Sequence, residues 1–227
     1  MHDLQLIGHI TKDVIICENK VNVTLGAMAN LWQACEKLNP ALNLKLCPLY
    51  FGKALIFQDA TSGNRYSKAN LNEIKLGFQP LQSSWNHVFY LNHIPDLQFL
   101  SKLDGIISAD ICAGGQIDYD CLKYIDYLFI ADEDLEISLQ EMINFTKGYI
   151  ICHSSDGSVV VGKNYNKTFE IKKIENLNVL GAGDYFATSF IINMLKSNNL
   201  EFSIKSAHKD ATSYLLEINN IDIKEIT

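Results

Sequence analysis

Residues 181–184 read Gly-Ala-Gly-Asp and lie between an apolar strand-like run and the apolar run "YFATSFIINML". In the second run Phe186, Phe190, Ile191, Met194 and Leu195 recur at helical spacing. A small-residue loop that opens a helix presents several backbone N–H groups in one direction, and the helix dipole adds partial positive charge there. Such a nest suits an anion, for instance a transferring phosphoryl group. A carboxylate at the same helix start, Asp184, is placed to take a proton from a hydroxyl, and the local positive field keeps it ionised. The spacing alone is equally compatible with a tight turn in which Asp184 does no more than cap the helix.

The elements that must position this loop alternate between strand and helix patterns. Strands are expected at 4–10, 13–17, 42–47, 54–59, 87–91, 105–111 and 127–132, and a helix at 26–38 with Met28, Leu31, Trp32, Cys35 and Leu38 on one stripe. A short helix is expected within 116–125 and a longer one at 135–145. Asp156-Gly157 marks a hairpin inside 148–162, a further strand covers 168–174, and helices follow at 184–196 and 203–217. The stretch 59–83, rich in Ser, Asn, Gly and Lys, reads as a loop or flap. Alternation of this kind favours an α/β domain with a largely parallel sheet.

Composition narrows the partners. The chain has 227 residues, 48% hydrophobic and 20% charged, which is ordinary for a soluble globular domain. A net charge of −7 argues against a nucleic-acid or anionic-membrane surface, so neither partner is expected. No apolar run is long enough to span a bilayer and no signal-peptide pattern opens the sequence, so a cytoplasmic location is expected. The six cysteines form no C-x-x-C pair and sit in apolar runs, which suits free thiols in a reducing compartment.

The stretch "NVLGAGDYFATSF" resembles the C-terminal signature D-T-x-G-A-G-D-x-F of the ribokinase-like carbohydrate kinases (phosphofructokinase-B type). Gly181, Ala182, Gly183, Asp184 and Phe186 match it. Other pieces follow in the family's order. "IGHITKDVI" resembles the first strand, whose aspartate, here Asp13, would bind substrate hydroxyls. "LGAMAN" resembles G-G-x-x-x-N through Gly26 and Asn30, and "GIISADI" resembles a strand ending in Asp110. "YLFIADEDL" lies at the family's N-x-x-E, which organises magnesium-bound water, with Asp134 in the glutamate position. "IICHSSDGSVV" resembles T-x-G-x-x-G beside the nucleotide, with Ser154 in the place of its first glycine and Gly157 as its second.

The resemblance implies a three-layer α/β/α ribokinase-like fold with a mostly parallel central sheet and a reduced lid. Residues 1–227 would form a single kinase domain with lid elements within 13–25 and 54–70. It implies transfer of the γ-phosphoryl of ATP, with magnesium, to a hydroxyl of a small sugar, polyol or nucleoside by a monomer or homodimer. Asp184 would be the base and the amides of Gly181, Ala182 and Gly183 would stabilise charge. Asp13, Gly26 and Asn30 would hold the acceptor, Ser154 and Gly157 the nucleotide, and Asp134 and Asp110 the outer shell of the metal. The sequence departs from the pattern at Leu25, Ala131, Cys152, Ser154, Asn178 and Val179, and it is short for the family. Asn178 puts any monovalent-cation site in doubt. Together these departures keep open a second reading, a relative that binds a sugar or nucleotide without significant turnover. A dinucleotide-binding α/β protein is disfavoured, since no G-x-G-x-x-G follows the first strand.

Overall fold

The structure is a computed structural model that describes residues 2–18, 20–58, 65–73, 82–112, 114–174 and 177–221. Ten strands form one sheet, ordered β10-β9-β8-β7-β6-β5-β1-β3-β4 with β2 paired to β1. They are β1 (His2–Cys17), β2 (Lys20–Thr24), β3 (Leu44–Gln58), β4 (Arg65–Glu73), β5 (Ser83–Val88), β6 (Ile106–Ile111), β7 (Tyr127–Ala131), β8 (Tyr149–Ser154), β9 (Gly157–Gly162) and β10 (Tyr165–Glu170). The helices are α1 (Gly26–Leu38), α2 (Leu139–Met142), α3 (Ala182–Ser197) and α4 (Leu200–Ile218). The chain divides into two compact units, the first made of Met1–Gly8, Leu42–Leu49 and Lys75–Lys173 and the second of His9–Ala41, Tyr50–Ile74 and Ile174–Thr227.

In the first unit the opening of β1, β5, β6, β7 and β8 run parallel, with Leu4 opposite Trp85, Trp85 opposite Ile106, and Phe129 opposite Ile151. Ile107–Ile111, Leu128–Ile130 and Ile150–Cys152 are buried without a break. Consecutive buried residues mean that both sheet faces are covered, which is why these strands read as continuous apolar runs. β9 and β10 continue the sheet antiparallel through the Ser154–Gly157 hairpin. Asp156-Gly157 does mark that hairpin, although the turn itself is Ser155-Asp156.

In the second unit the later part of β1 pairs antiparallel with β2, Asp13 opposite Thr24 and Ile16 opposite Val21. The later part of β3 pairs antiparallel with β4, Phe57 opposite Tyr66. Along β3 buried Gly52 and Ile56 alternate with exposed Phe51, Lys53, Leu55 and Phe57, the pattern of a strand covered on one face. α3 is buried from Asp184 to Ile192 and packs against α1 and α4. α4 presents Ile204, Ala207, His208 and Ala211 on its buried stripe.

Several expectations are corrected. The strands expected at 4–10 and 13–17 are one strand, as are those at 42–47 and 54–59. Pro48 lies before the register with β4 begins at Tyr50, so its missing N–H removes no bond from that ladder. Within 59–83 the residues of β4 are strand, while 59–64 and 74–81 lie outside the described residues. The helix expected at 135–145 shrinks to α2, because Ser138 and Glu141 form a capping box that starts it late. The strand expected at 87–91 ends at Val88, before left-handed Tyr90. Trp32 is 46% exposed rather than packed, whereas Trp85 is buried.

Candidate active site

Gly181 precedes α3 with φ 81° and ψ 0°, in the left-handed region that favours glycine. A Cβ there would stand 2.8 Å from the Tyr214 hydroxyl. Asp184 is the third residue of α3, and Gly181 occupies the cap position, so Asp184 is a first-turn acid and not the N-cap residue. Asp184 is 7% exposed, and its Oδ2 accepts a hydrogen bond from Asn30 Nδ2 at 2.8 Å. The Ala182 N–H donates to the Val179 carbonyl at 3.1 Å, and the Tyr185 N–H closes the first helical bond on Gly181 at 3.0 Å. Among the described residues no acceptor takes the N–H of Gly181 or Gly183. Two unspent donors and a buried carboxylate therefore share one helix start.

Asn30 stands one turn beyond Gly26 on α1. Gly26 has φ 69°, and a Cβ on it would collide with Thr11 Oγ1 and lie 3.4 Å from Asp13 Oδ2. Glycine is thus required by position as well as by backbone. Leu25, in the place of the family's other glycine, has φ −104°, which any residue adopts, and its side chain is 58% exposed. Burial raises the carboxyl pKa of Asp13 above the usual range, and a hydrogen bond with Thr11 opposes this in part. Asp13 Oδ1 is buried with no partner among the described residues. One helix therefore touches both acids, through Gly26 beside Asp13 and through Asn30 on Asp184. Asp13, Gly26, Asn30, Gly181, Ala182, Gly183 and Asp184 all belong to the second unit.

Asp110, Asp134, Ser154 and Gly157 belong to the first unit. Asp110 is the last residue but one of β6; its Oδ1 accepts the Tyr90 N–H, and its Oδ2 lies 3.6 Å from His87 Nε2. Asp134 is half-buried in the short 3-10 turn after β7, beside exposed Asp132 and Glu133. Ser154 Oγ accepts the Asp156 N–H at 3.2 Å across the hairpin turn. Gly157 has φ 136°, and a Cβ there would collide with the Phe169 carbonyl on β10, so close strand packing already requires that glycine. No group of three or more His, Cys, Asp or Glu residues able to hold a metal occurs among the described residues.

The structure adds residues that the sequence did not single out. Thr11 bonds Asp13 and touches Gly26. Tyr214 stacks on Tyr185 at 4.7 Å and donates to the Leu180 carbonyl at 3.0 Å. Burial raises its phenol pKa, and the Asp184 carboxylate raises it further. Asn219, at the end of α4, bonds both backbone groups of Asn178. Tyr214 lies on the helix expected at 203–217, and nothing in its spacing sets it apart there.

No family model matches the chain, and no curated protein matches it. Solved structures do. A ribokinase from Thermotoga maritima superposes with a TM-score of 0.75 at 17% identity, over 93% of this chain and 92% of that one. An adenosine kinase from Sinorhizobium meliloti gives 0.70 at 14% identity over 93% of each chain. A fructokinase from Vibrio cholerae gives 0.67 at 14% identity, over 96% of this chain and 99% of that one. The chain therefore has the α/β ribokinase-like fold with a mostly parallel sheet. Among the described residues no helix is long and apolar enough to cross a membrane.

Proposed function

We propose that this ribokinase-like chain is a phosphotransferase that moves the γ-phosphoryl of ATP to a hydroxyl of a small sugar, polyol or nucleoside. The observation that carries the reading is the start of α3. There a buried Asp184 held by Asn30 stands beside the unpartnered amides of Gly181 and Gly183. Phosphoryl transfer asks a protein chiefly for positioning and for charge stabilisation, and this arrangement offers both. Similarity in fold to sugar and nucleoside kinases supports the same class of reaction.

In this reading Asp13 Oδ1, buried without a partner, accepts a hydrogen bond from a hydroxyl of the acceptor and orients it. Asp184 takes the proton of the attacking hydroxyl. The Asn30 amide fixes the Asp184 carboxylate, so that its other oxygen points to the reacting group. The loop amides of 181–183 receive the phosphoryl oxygens. Magnesium-ATP supplies the transferable group. Magnesium would be held mainly by phosphates and water, with Asp134 and Asp110 as outer-shell carboxylates. Ser154 and Gly157 would line the nucleotide, although each already serves the hairpin. We read residues 1–227 as one kinase domain, with β2 and the β3–β4 hairpin as its short lid.

The test is turnover of sugars, polyols and nucleosides with magnesium-ATP, for wild type and for Asp184→Asn. The amide is nearly isosteric and still accepts from Asn30, so the melting temperature should hold. Turnover should fall about a hundred- to ten-thousandfold with ATP affinity unchanged. Undiminished turnover in the variant removes Asp184 from the mechanism. ATP and sugar binding without turnover in wild type favours the binding-only reading, to which Ala131 and the hairpin-bound Ser154 lend support.

A further inference from the structure

The backbone of the loop before α3 is held by α4 as well as by bonds of its own. The Asn219 carboxamide grips both polar groups of Asn178: Oδ1 accepts its N–H at 2.8 Å, and Nδ2 donates to its carbonyl at 3.0 Å. The same Nδ2 donates to the Leu215 carbonyl at 2.8 Å, which ties the grip to the last turn of α4. Asn178 Oδ1 in turn accepts the Leu180 N–H at 3.1 Å. The Leu180 carbonyl accepts the Tyr214 hydroxyl at 3.0 Å, and the Val179 carbonyl accepts the Ala182 N–H. Through residues 178–182 the carbonyls of Asn178, Val179, Leu180 and Gly181 are therefore all engaged, as is the N–H of Asn178, Leu180 and Ala182. The N–H groups of Val179, Gly181 and Gly183 remain, and of these Gly181 and Gly183 stand at the start of α3. Bonds placed in this way fix the plane of each peptide and so the direction in which the remaining amides point.

We propose that Asn219 and Tyr214 are positioning residues that aim the Gly181 and Gly183 amides at the transferring phosphoryl group. This rests on the phosphotransferase reading for its catalytic part only. Neither side chain touches the reacting atoms. Tyr214 lies against Gly181, where a Cβ would be 2.8 Å from its hydroxyl, and its ring stacks on Tyr185. The Asn219 carboxamide works because one end donates and the other accepts. A carboxylate of the same shape accepts at both ends. It would face the Asn178 and Leu215 carbonyls with no proton to give.

The experiment compares wild type, Asn219→Asp, Asn219→Ala and Tyr214→Phe, by amide hydrogen exchange and by steady-state kinetics. Exchange over 178–184 should speed up at least about tenfold in both Asn219 variants and less in Tyr214→Phe, with exchange over 190–196 unchanged. With an acceptor that wild type turns over, kcat should drop about ten- to a hundredfold in the Asn219 variants while the acceptor KM stays constant. Lowering the pH should restore Asn219→Asp, whose protonated carboxyl donates again, and should not restore Asn219→Ala. Unchanged loop exchange overturns the proposal even if the enzyme is active. Faster exchange throughout α3, or loss of kcat with no acid recovery of Asn219→Asp, also overturns it in favour of a purely structural role. If wild type turns over no acceptor, the phosphotransferase reading fails, and the exchange arm still decides whether α4 sets the loop.

Discussion

Asp13 and Asp184 are both acids at the candidate site, yet their surroundings differ. Asp184 has an amide donor on Oδ2, while Asp13 has a Thr11 hydroxyl and a buried oxygen without a partner. The carboxyl pKa of Asp13 is raised by burial, so the folded protein holds that proton more tightly than the unfolded chain does. The stabilisation linked to that proton is complete below the unfolded value of 3.8 and is lost as pH rises through the folded value. At neutral pH the carboxylate therefore weighs against the fold. Asp13→Asn should raise the melting temperature at pH 7 by on the order of a few degrees, and the gain should vanish in scans below about pH 3.8. The same change removes a charged acceptor, so the acceptor KM should rise about ten- to a hundredfold. A variant neither more stable at pH 7 nor weaker in acceptor binding would show that Asp13 is solvated and idle.

At the level of elements, the β8–β9–β10 meander shows how a motif position can have a structural reason of its own. Gly157 has a φ that side chains rarely adopt, and a Cβ would meet the Phe169 carbonyl. Gly157→Ala should cost roughly 2–5 kcal/mol from strain and overpacking combined, read as a shift in the urea midpoint with or without ATP. If the loss appears only in ATP affinity, the glycine serves the nucleotide and not the strand. The parallel strands β6, β7 and β8 were legible because burial on both faces leaves unbroken apolar runs. β4 was not, since Tyr66, Lys68 and Asn70 are exposed on a strand at the sheet's end, where polar residues blunt pairing. The Gly-Ala-Gly-Asp loop was legible because its residues are contiguous. The Asn30–Asp184 bond and the Asn219 grip were not, since neither periodicity nor spacing reports pairs 154 and 41 positions apart.

For the whole molecule, buried thiols contribute to behaviour in alkali. All six are free. Burial pushes the thiols of Cys35 and Cys121 up to about 12 and that of Cys152 up to about 11, from an ordinary 9.0. Between pH 9 and 11 the unfolded chain loses these protons while the folded one keeps them, so stability falls as pH rises. The slope is up to about 1.4 kcal/mol per pH unit for each thiol. Urea midpoints should therefore be insensitive to pH through these groups below about pH 8 and decline steeply above about pH 9, and Cys35→Ala should flatten the decline. A decline of equal slope in that variant would place the cause elsewhere. The 154-residue gap between Asn30 and Asp184 has another consequence, in the order of synthesis. A ribosome adding about 5–20 residues per second delivers the second residue roughly 8–30 seconds after the first. Throughout that interval the α1 half of the site exists in a nascent chain with no Asp184 to receive its amide, so a growing polypeptide acquires the acceptor-side residues long before it can acquire the base.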